Sequence, residues 1–529
     1  MKPLDVQGKA RTTRKKKPRR YTRREFLGMA GAAGFVLAAG TPAMSATEST
    51  FDLVILGGRV IDPASKTDAL YNIGIAKGKI AAMTREKVKG KRVIDAQNLV
   101  VSPGFIDVHS HADGIVTAGE HEARMGVTTL IGGNCGSSET VSMQNAKDLG
   151  VGAFLERIDR EGYPVNHAFF VGASDIREKA LGFGKYASVP VDALEKMGTI
   201  AQAAMDHGAI GISFGLEYSP GTTADELNAL FALAKKRGAV CATHIRNSGR
   251  GLIGVLPSAL SACEEVVAAA RRTGAMLQIS HLASQIAWRS DPYDDLTHRG
   301  LAVLHNAQQE GVQVLGDAHP YTAWCTDAGA AALDPFLKGK LMTWVMQKHF
   351  YIDIGMLEVG SGPYKGKLLT QELLEKLRKE APLTPIIGHT MQSDLVEMIY
   401  KDPLVMVASD AVYDKVTGLP PHPRGCGTFP RVLQTMVREK RIITLSEALN
   451  KMTSMPAERF GLKSKGRIIA GADADITIFN PATVLDAATY ADPAVDPQGI
   501  AYVIVGGTPV VDGGQLQRAR PGKAVRLQA

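Results

Sequence analysis

Between Phe105 and Asp410 the chain alternates short apolar runs with amphipathic, helix-forming stretches, and no other feature limits its possible folds so sharply. The runs are Phe105 to His111, Thr128 to Cys135, Ala168 to Ser174, Ile210 to Tyr218, Val240 to His244, Leu277 to His281, Val312 to Asp317 and Leu404 to Asp410. Helical patterns such as Val191 to His207, Ala224 to Arg237 and Ser258 to Thr273 separate them. A crossover long enough to hold a helix returns the chain to the same end of the sheet, so successive strands pair in parallel. Eight such strands in about 350 residues predict an α/β fold, a (β/α)8 TIM-like barrel with insertions. A doubly wound open sheet explains less, because no Gly-rich phosphate fingerprint follows the first strand.

The two ends share a different texture. Phe51 to Gly58 and Tyr71 to Ile80 are apolar runs broken by glycine, as antiparallel strands are, and Gly466 to Asn480 and Ile500 to Val511 repeat the pattern. Both termini are therefore expected to build one small β-sandwich domain, 47–104 with 462–529, beside a barrel spanning 105–461.

Charge separates an address from the body of the protein. The net charge of +8 could indicate a nucleic-acid partner, but residues 1 to 25 alone hold eleven Lys/Arg and two acids. Removing these from the 61 basic and 53 acidic residues of the chain leaves 50 and 51, so the remainder attracts no polyanion. The leader runs through Thr22-Arg23-Arg24-Glu25-Phe26-Leu27-Gly28 into a mild Gly/Ala-rich stretch ending at Ala43-Met44-Ser45-Ala46. It resembles a twin-arginine signal peptide, 1–46, which implies the twin-arginine export machinery as partner and a periplasmic or secreted location. Phe26 to Ala39 is too short and Gly-rich to span a membrane comfortably, and no stable membrane anchor is expected. Cys135, Cys241, Cys263, Cys325 and Cys426 are odd in number and widely scattered, which argues against a disulfide framework and leaves at least one with chemistry to do.

Several of the strand-like runs end in a residue that can bind a metal, where a barrel places its catalytic groups. His109 and His111 close the first run two residues apart, Cys135 the second, His244 the fifth, His281 the sixth and Asp410 the eighth. Each alone is more simply a buried core histidine, a small apolar cysteine or a helix-capping aspartate. All six falling at strand ends is a different matter, and the set predicts a metal site. The other nine histidines, His319 and His389 among them, are expected to be structural or exposed.

The stretch Val101-Ser102-Pro103-Gly104-Phe105-Ile106-Asp107-Val108-His109-Ser110-His111 resembles the first-strand signature of the amidohydrolase superfamily. Further segments resemble its N-acyl-D-amino-acid deacylases (D-aminoacylases). They are Gly126-Val127-Thr128-Thr129 leading to Gly133-Asn134-Cys135-Gly136, Gly215-Leu216-Glu217-Tyr218, Ile279-Ser280-His281-Leu282, Pro320-Tyr321-Thr322-Ala323, Ser409-Asp410, His422-Pro423-Arg424-Gly425 and Gly427-Thr428-Phe429-Pro430-Arg431. Cys135 discriminates most, since related hydantoinases and dihydroorotases commonly use a carboxylated lysine.

The resemblance implies that Cys135, His244 and His281 hold a tightly bound zinc, and that His109, His111 and Asp410 line a weaker second position. A thiolate with two imidazoles suits tetrahedral zinc and leaves one position for water. Zinc lowers the pKa of such water from about 15.7 towards 7, giving the nucleophile that amide hydrolysis needs. Asp410 is then expected to act as general base and acid, passing the proton of that water to the departing amine. Arg424, assisted by Tyr321, is expected to grip the α-carboxylate of an N-acylated amino acid. A salt bridge bracing the loop from Ala411 to Pro430 is the other use for Arg424.

The pocket departs from the pattern at Ala283, where relatives often have lysine, at Asn247, where they have an acid, and at Cys325, in the place of a substrate-binding serine. The reaction is therefore better specified than the substrate. Dipeptidase or cyclic-amide hydrolase activity is the competing enzymatic reading, and a catalytically silent periplasmic binding protein the non-enzymatic one.

Overall fold

The computed structural model describes residues 51–138, 149–182, 189–249, 258–288, 295–349, 352–415 and 417–527. The leader, residues 1–46, lies outside the described residues. No helix among the described residues is long and apolar enough to cross a membrane.

The apolar runs pair as parallel strands. Phe105–Asp107, Val127–Gly132 and Asn166–Phe169 form one arc. Val171–Gly172, Gly211–Gly215, Val240–His244, Met276–Ile279, Val314–Ala318 and Val405–Val407 form the other. The arcs meet where the third strand bends at Phe170, whose N–H reaches the Gly132 carbonyl at 3.0 Å. At the opposite seam Asp410 N–H donates to the His109 carbonyl and His111 N–H to that of Ala411, both at 2.8 Å, so the last strand closes onto the first. The ring is thus a closed eight-stranded barrel.

Helices cover it: Val191–Asp206, Ala224–Arg237, Ala259–Thr273 and Leu296–Gln309 turn buried faces inward. Thr223 caps the second by accepting the Glu226 N–H, and Ser258 and Ser261 cap the third reciprocally.

Regular pairing stops earlier than the apolar runs do, at Asp107, Gly132, Ile279 and Val407. Part of the cause is local backbone geometry. Cys135, His281 and Asp410 have φ of 54°, 32° and 49°, a left-handed conformation that breaks a β-ladder. For a residue with a Cβ this conformation costs on the order of 1–3 kcal/mol and persists only where its surroundings enforce it.

Strands from both ends of the chain share one nine-stranded sheet, because Val100–Pro103 pairs antiparallel with Ile476–Phe479. The sheet has its own core, with Ile55, Val60, Ile73, Val101, Ile476 and Ile504 buried in it. A third small sheet, Trp324–Asp327, Leu357–Val359 and Pro385–Gly388, lies in the insertion between the seventh and eighth barrel strands. It carries a separate apolar cluster that includes Leu333, Phe336 and Ile386. All five cysteines are free.

Candidate metal centre and its cavity

The rim of the barrel brings together side chains far apart in sequence. Cys135 Sγ lies 3.4 Å from His109 Nε2 and 3.6 Å from His281 Nε2. Asp410 Oδ1 lies 3.4 Å from His109 Nε2 and 3.5 Å from His111 Nε2. The donor atoms of His109, Cys135 and His281 all fall within 4.8 Å of one another, as do those of His109, His111 and Asp410. His109 therefore belongs to both groups.

His244 is arranged differently from the expected tight triad. Its ring stands 4.4 Å from that of His281, but its Nε2 is hydrogen-bonded to Glu217 Oε2 at 2.8 Å. Glu217 was not singled out from the sequence, although it stands two residues past the strand Gly211–Gly215. Its carboxylate holds His244 Nε2, while His244 Nδ1 is buried without a hydrogen-bond partner and the ring still acts on the Cys135 thiol.

The electrostatics fit a cation. Burial opposes ionisation of Cys135, yet His109, His111 and His244 hold its thiol well below the usual range. Burial likewise opposes protonation of His109, but Cys135, Asp410 and Asp317 push it well above its ordinary value. Two anionic groups thus draw positive charge into a buried pocket, and the imidazole protons satisfy a demand that a divalent ion meets more fully. The donor set of thiolate, imidazoles and carboxylate suits zinc.

Partners behind the donors fix their orientation. Asp317 accepts the backbone N–H of His281 at 2.7 Å, fixing the main chain there, and stands 3.5 Å from His109 Nδ1, which directs His109 Nε2 into the cluster. Gln285 contacts His281 through its Nε2, and the single Ser248 hydroxyl proton is shared between Gln285 Oε1 at 2.7 Å and Glu217 Oε2 at 3.1 Å.

Burial also opposes ionisation of Asp410, but Arg424, His281 and His109 keep its carboxyl well below the usual carboxylate range. Arg424 Nη1 donates to Asp410 Oδ2 at 2.7 Å, and the guanidinium is 1% exposed. The salt-bridge use of Arg424 is thus realised, with Asp410 as its partner. Arg424 nevertheless lines the cavity.

Tyr321, expected to assist Arg424, is buried outside the described cavity lining, and its hydroxyl donates to Asp486 Oδ2 at 2.8 Å. A motif tyrosine reveals its neighbours in sequence but not which way its ring turns.

Ser284 and His319 supply what the sequence did not reveal. Tyr321 N–H donates to His319 Nδ1 at 3.3 Å, so the ring proton sits on Nε2 and is donated to Ser284 Oγ at 3.0 Å. Burial, with Arg424 nearby, pushes His319 down to about 3, so the ring is neutral at ordinary pH. Such a ring cannot deprotonate Ser284. Instead Ser284, which lines the cavity, keeps its own O–H to offer inward.

The cavity encloses about 1150 Å³. Its floor holds His111, Cys135, His244, His281 and Asp410, while Trp288, Trp324, Leu333, Phe336, Met346 and Leu383 make its upper wall apolar.

Residues 92–349 and 371–511 match the amidohydrolase family. The chain is 30% identical over 511 residues to an N-acyl-D-glutamate deacylase of Alcaligenes xylosoxydans xylosoxydans, covering 91% of this chain and 98% of that one. It is also 30% identical over 497 residues to a D-aminoacylase from the same source, at 88% and 96% coverage. Among solved structures, an N-acyl-D-glutamate deacylase from Bordetella bronchiseptica, complexed with zinc and a phosphonate inhibitor, superimposes with a TM-score of 0.76 at 30% identity, covering 90% of this chain and all of that one.

Proposed function

The chain belongs to the amidohydrolase family, among its N-acyl-D-amino-acid deacylases, and from that premise we propose that it is a zinc-dependent hydrolase that removes the acyl group from N-acyl-D-amino acids. The observation that carries this reading is the convergence of His109, His111, Cys135, His281 and Asp410 at the rim of one barrel.

Cys135 and His281 are common to the triad assembled by the geometry, with His109, and to the one implied by the family resemblance, with His244. They would hold the tighter ion. His111 and Asp410 would offer a second and weaker position, and His109, with one free lone pair on Nε2, could complete either group but not both. Zinc, when bound, acidifies water and polarises an amide carbonyl.

The chain's own groups do the rest. Asp410 Oδ1 faces the two imidazoles and Oδ2 faces Arg424, so its carboxylate is fixed and charged, able to accept the nucleophile's proton and return it to the departing amine. Arg424 keeps that carboxylate ionised and presents its cavity edge to the substrate carboxylate. Ser284 donates a hydrogen bond to the same bound group. The apolar upper wall excludes water from the chemistry.

The motif around Arg23 and Arg24 supports export through the twin-arginine route to the periplasm or beyond, a path that carries folded chains with their metal in place.

The decisive assay sets N-acetyl-D- and N-acetyl-L-amino acids beside dipeptides and hydantoins, using zinc-loaded enzyme. Release of the free D-amino acid should stop on chelation and return with zinc. Turnover confined to dipeptides or cyclic amides would sink the deacylase reading.

A further inference from the structure

Nearly every charged group of the described cavity lining has a partner. Arg424 holds Asp410 and His244 holds Glu217. Asp414 accepts the Thr417 N–H at 2.7 Å. Asp113 accepts the Gly133 N–H at 2.9 Å, and although burial pushes its carboxyl up, His111 and Lys415 pull against that. Asp327 differs. Its side chain makes no hydrogen bond or ion pair with a described residue, and it faces the cavity from the last position of the strand Trp324–Asp327. Burial raises its carboxyl to about 6 against the pull of the His111 imidazole, which leaves it mostly anionic at neutral pH without a direct hydrogen-bonded cation among the described residues.

The surroundings of Asp327 narrow what its carboxylate could receive from a substrate. Trp324 begins the same strand and stacks on Trp288, with ring centroids 6.5 Å apart and an angle of 13°, and both indoles line the cavity. Aromatic faces lining the same cavity as a carboxylate can take the aliphatic stem of a group that ends in a positive charge. Ala283, where relatives often carry lysine, is fully buried in the barrel's apolar core and offers nothing to an acidic side chain. The two permanent cations of the described lining, Lys415 and Arg424, both face carboxylates already.

Building on the deacylase reading, we propose that Asp327 is a specificity-determining residue that receives a cationic nitrogen of the substrate. That nitrogen ends either a basic amino-acid side chain or an amine-bearing acyl group. The preferred substrates then differ in charge from those that give the glutamate and aspartate deacylases their names.

The test uses the full zinc-loaded enzyme and reads ratios of kcat/KM within one preparation, so partial misfolding cancels. One arm compares N-acetyl-D-lysine with N-acetyl-D-norleucine, the same stem without its charge. The other compares N-β-alanyl-D-leucine with N-butanoyl-D-leucine. One arm should favour the charged compound by about tenfold or more, and in Asp327→Asn that ratio should fall to near one. In Asp327→Lys it should fall below one, with N-acetyl-D-glutamate gaining on norleucine. Ratios near one in both arms of the unaltered enzyme, or a ratio that survives Asp327→Asn, overturn the proposal. If no compound is hydrolysed, the deacylase reading itself fails. Calorimetric binding of the lysine and norleucine compounds to the same enzyme then still decides whether Asp327 selects a cation.

Discussion

At the floor of the cavity Cys135, His281 and Asp410 sit in left-handed backbone conformations, each locked by charged or hydrogen-bonding neighbours. The upper wall is built the other way. It belongs largely to the insertion between the last two barrel strands, its described residues carry no comparable cluster of strained positions, and their inward side chains are mainly apolar. The difference teaches where the fold stores its cost. Strained backbone and buried charge meet at the candidate metal donors, whereas the wall above them rests mainly on packing, which predicts that it can change without disturbing the floor.

The comparison breaks most sharply at Cys135. Cys135→Ala should remove the metal and lower kcat/KM by about 10⁴-fold or more, since both water activation and carbonyl polarisation go with it. Elemental analysis beside the assay checks this, and full metal occupancy in the variant would show that the floor does not depend on its thiolate.

Asp410→Asn should keep the fold and the metal while lowering kcat by about 10³-fold, the range of a positioned proton shuttle. Near-normal turnover with zinc bound would remove Asp410 from that role. His109→Ala and His244→Ala sharpen the floor further. If His109 completes the tight triad, as the 4.8 Å grouping indicates, its loss should weaken zinc in a chelator competition by about tenfold more than loss of His244, whose Nε2 is engaged with Glu217. The reverse order would restore the triad expected from the family resemblance.

The floor was legible in the sequence and the wall was not, for a physical reason. A barrel strand is a run of consecutive apolar residues, and its end is marked by the change to polar ones, so His109, His111, Cys135, His244, His281 and Asp410 could be located by position alone. Even there the strands were drawn too long, because a left-handed φ at Cys135, His281 or Asp410 leaves no mark on the letters. Glu217 appears in the sequence only within a motif and His319 only as a histidine expected to be structural or exposed, because their contacts lie across the barrel, to His244 and Ser284, at separations of 27 and 35 residues. Tyr321 was placed in the site by its motif but points to Asp486, 165 residues on. The wall's strands are only three or four residues long, too short for a period to emerge.

Ser284 stands between the two regions. Ser284→Ala should raise KM about tenfold and leave kcat within about twofold, because it removes one hydrogen bond made to the bound substrate before any bond breaks. A fall in kcat with KM unchanged would mean that the hydroxyl acts on the transition state instead.

The smallest effect belongs to the wall itself. Leu383 lines the cavity yet is 63% exposed, so its side chain supports little of the protein's own packing. Leu383→Ser should therefore leave Tm almost unchanged, within the roughly ±0.5 kcal/mol typical of surface positions. What it removes is apolar area that a long substrate can cover. At about 25 cal/mol per Å², up to ~40 Å² of lost contact amounts to about 1 kcal/mol, or roughly a fivefold rise in KM. That rise should appear with an octanoyl substrate and be absent with an acetyl one, since a short acyl group does not reach the insertion. Equal rises for both would mean that the wall acts through the floor, and the independence of the two regions would fall with it.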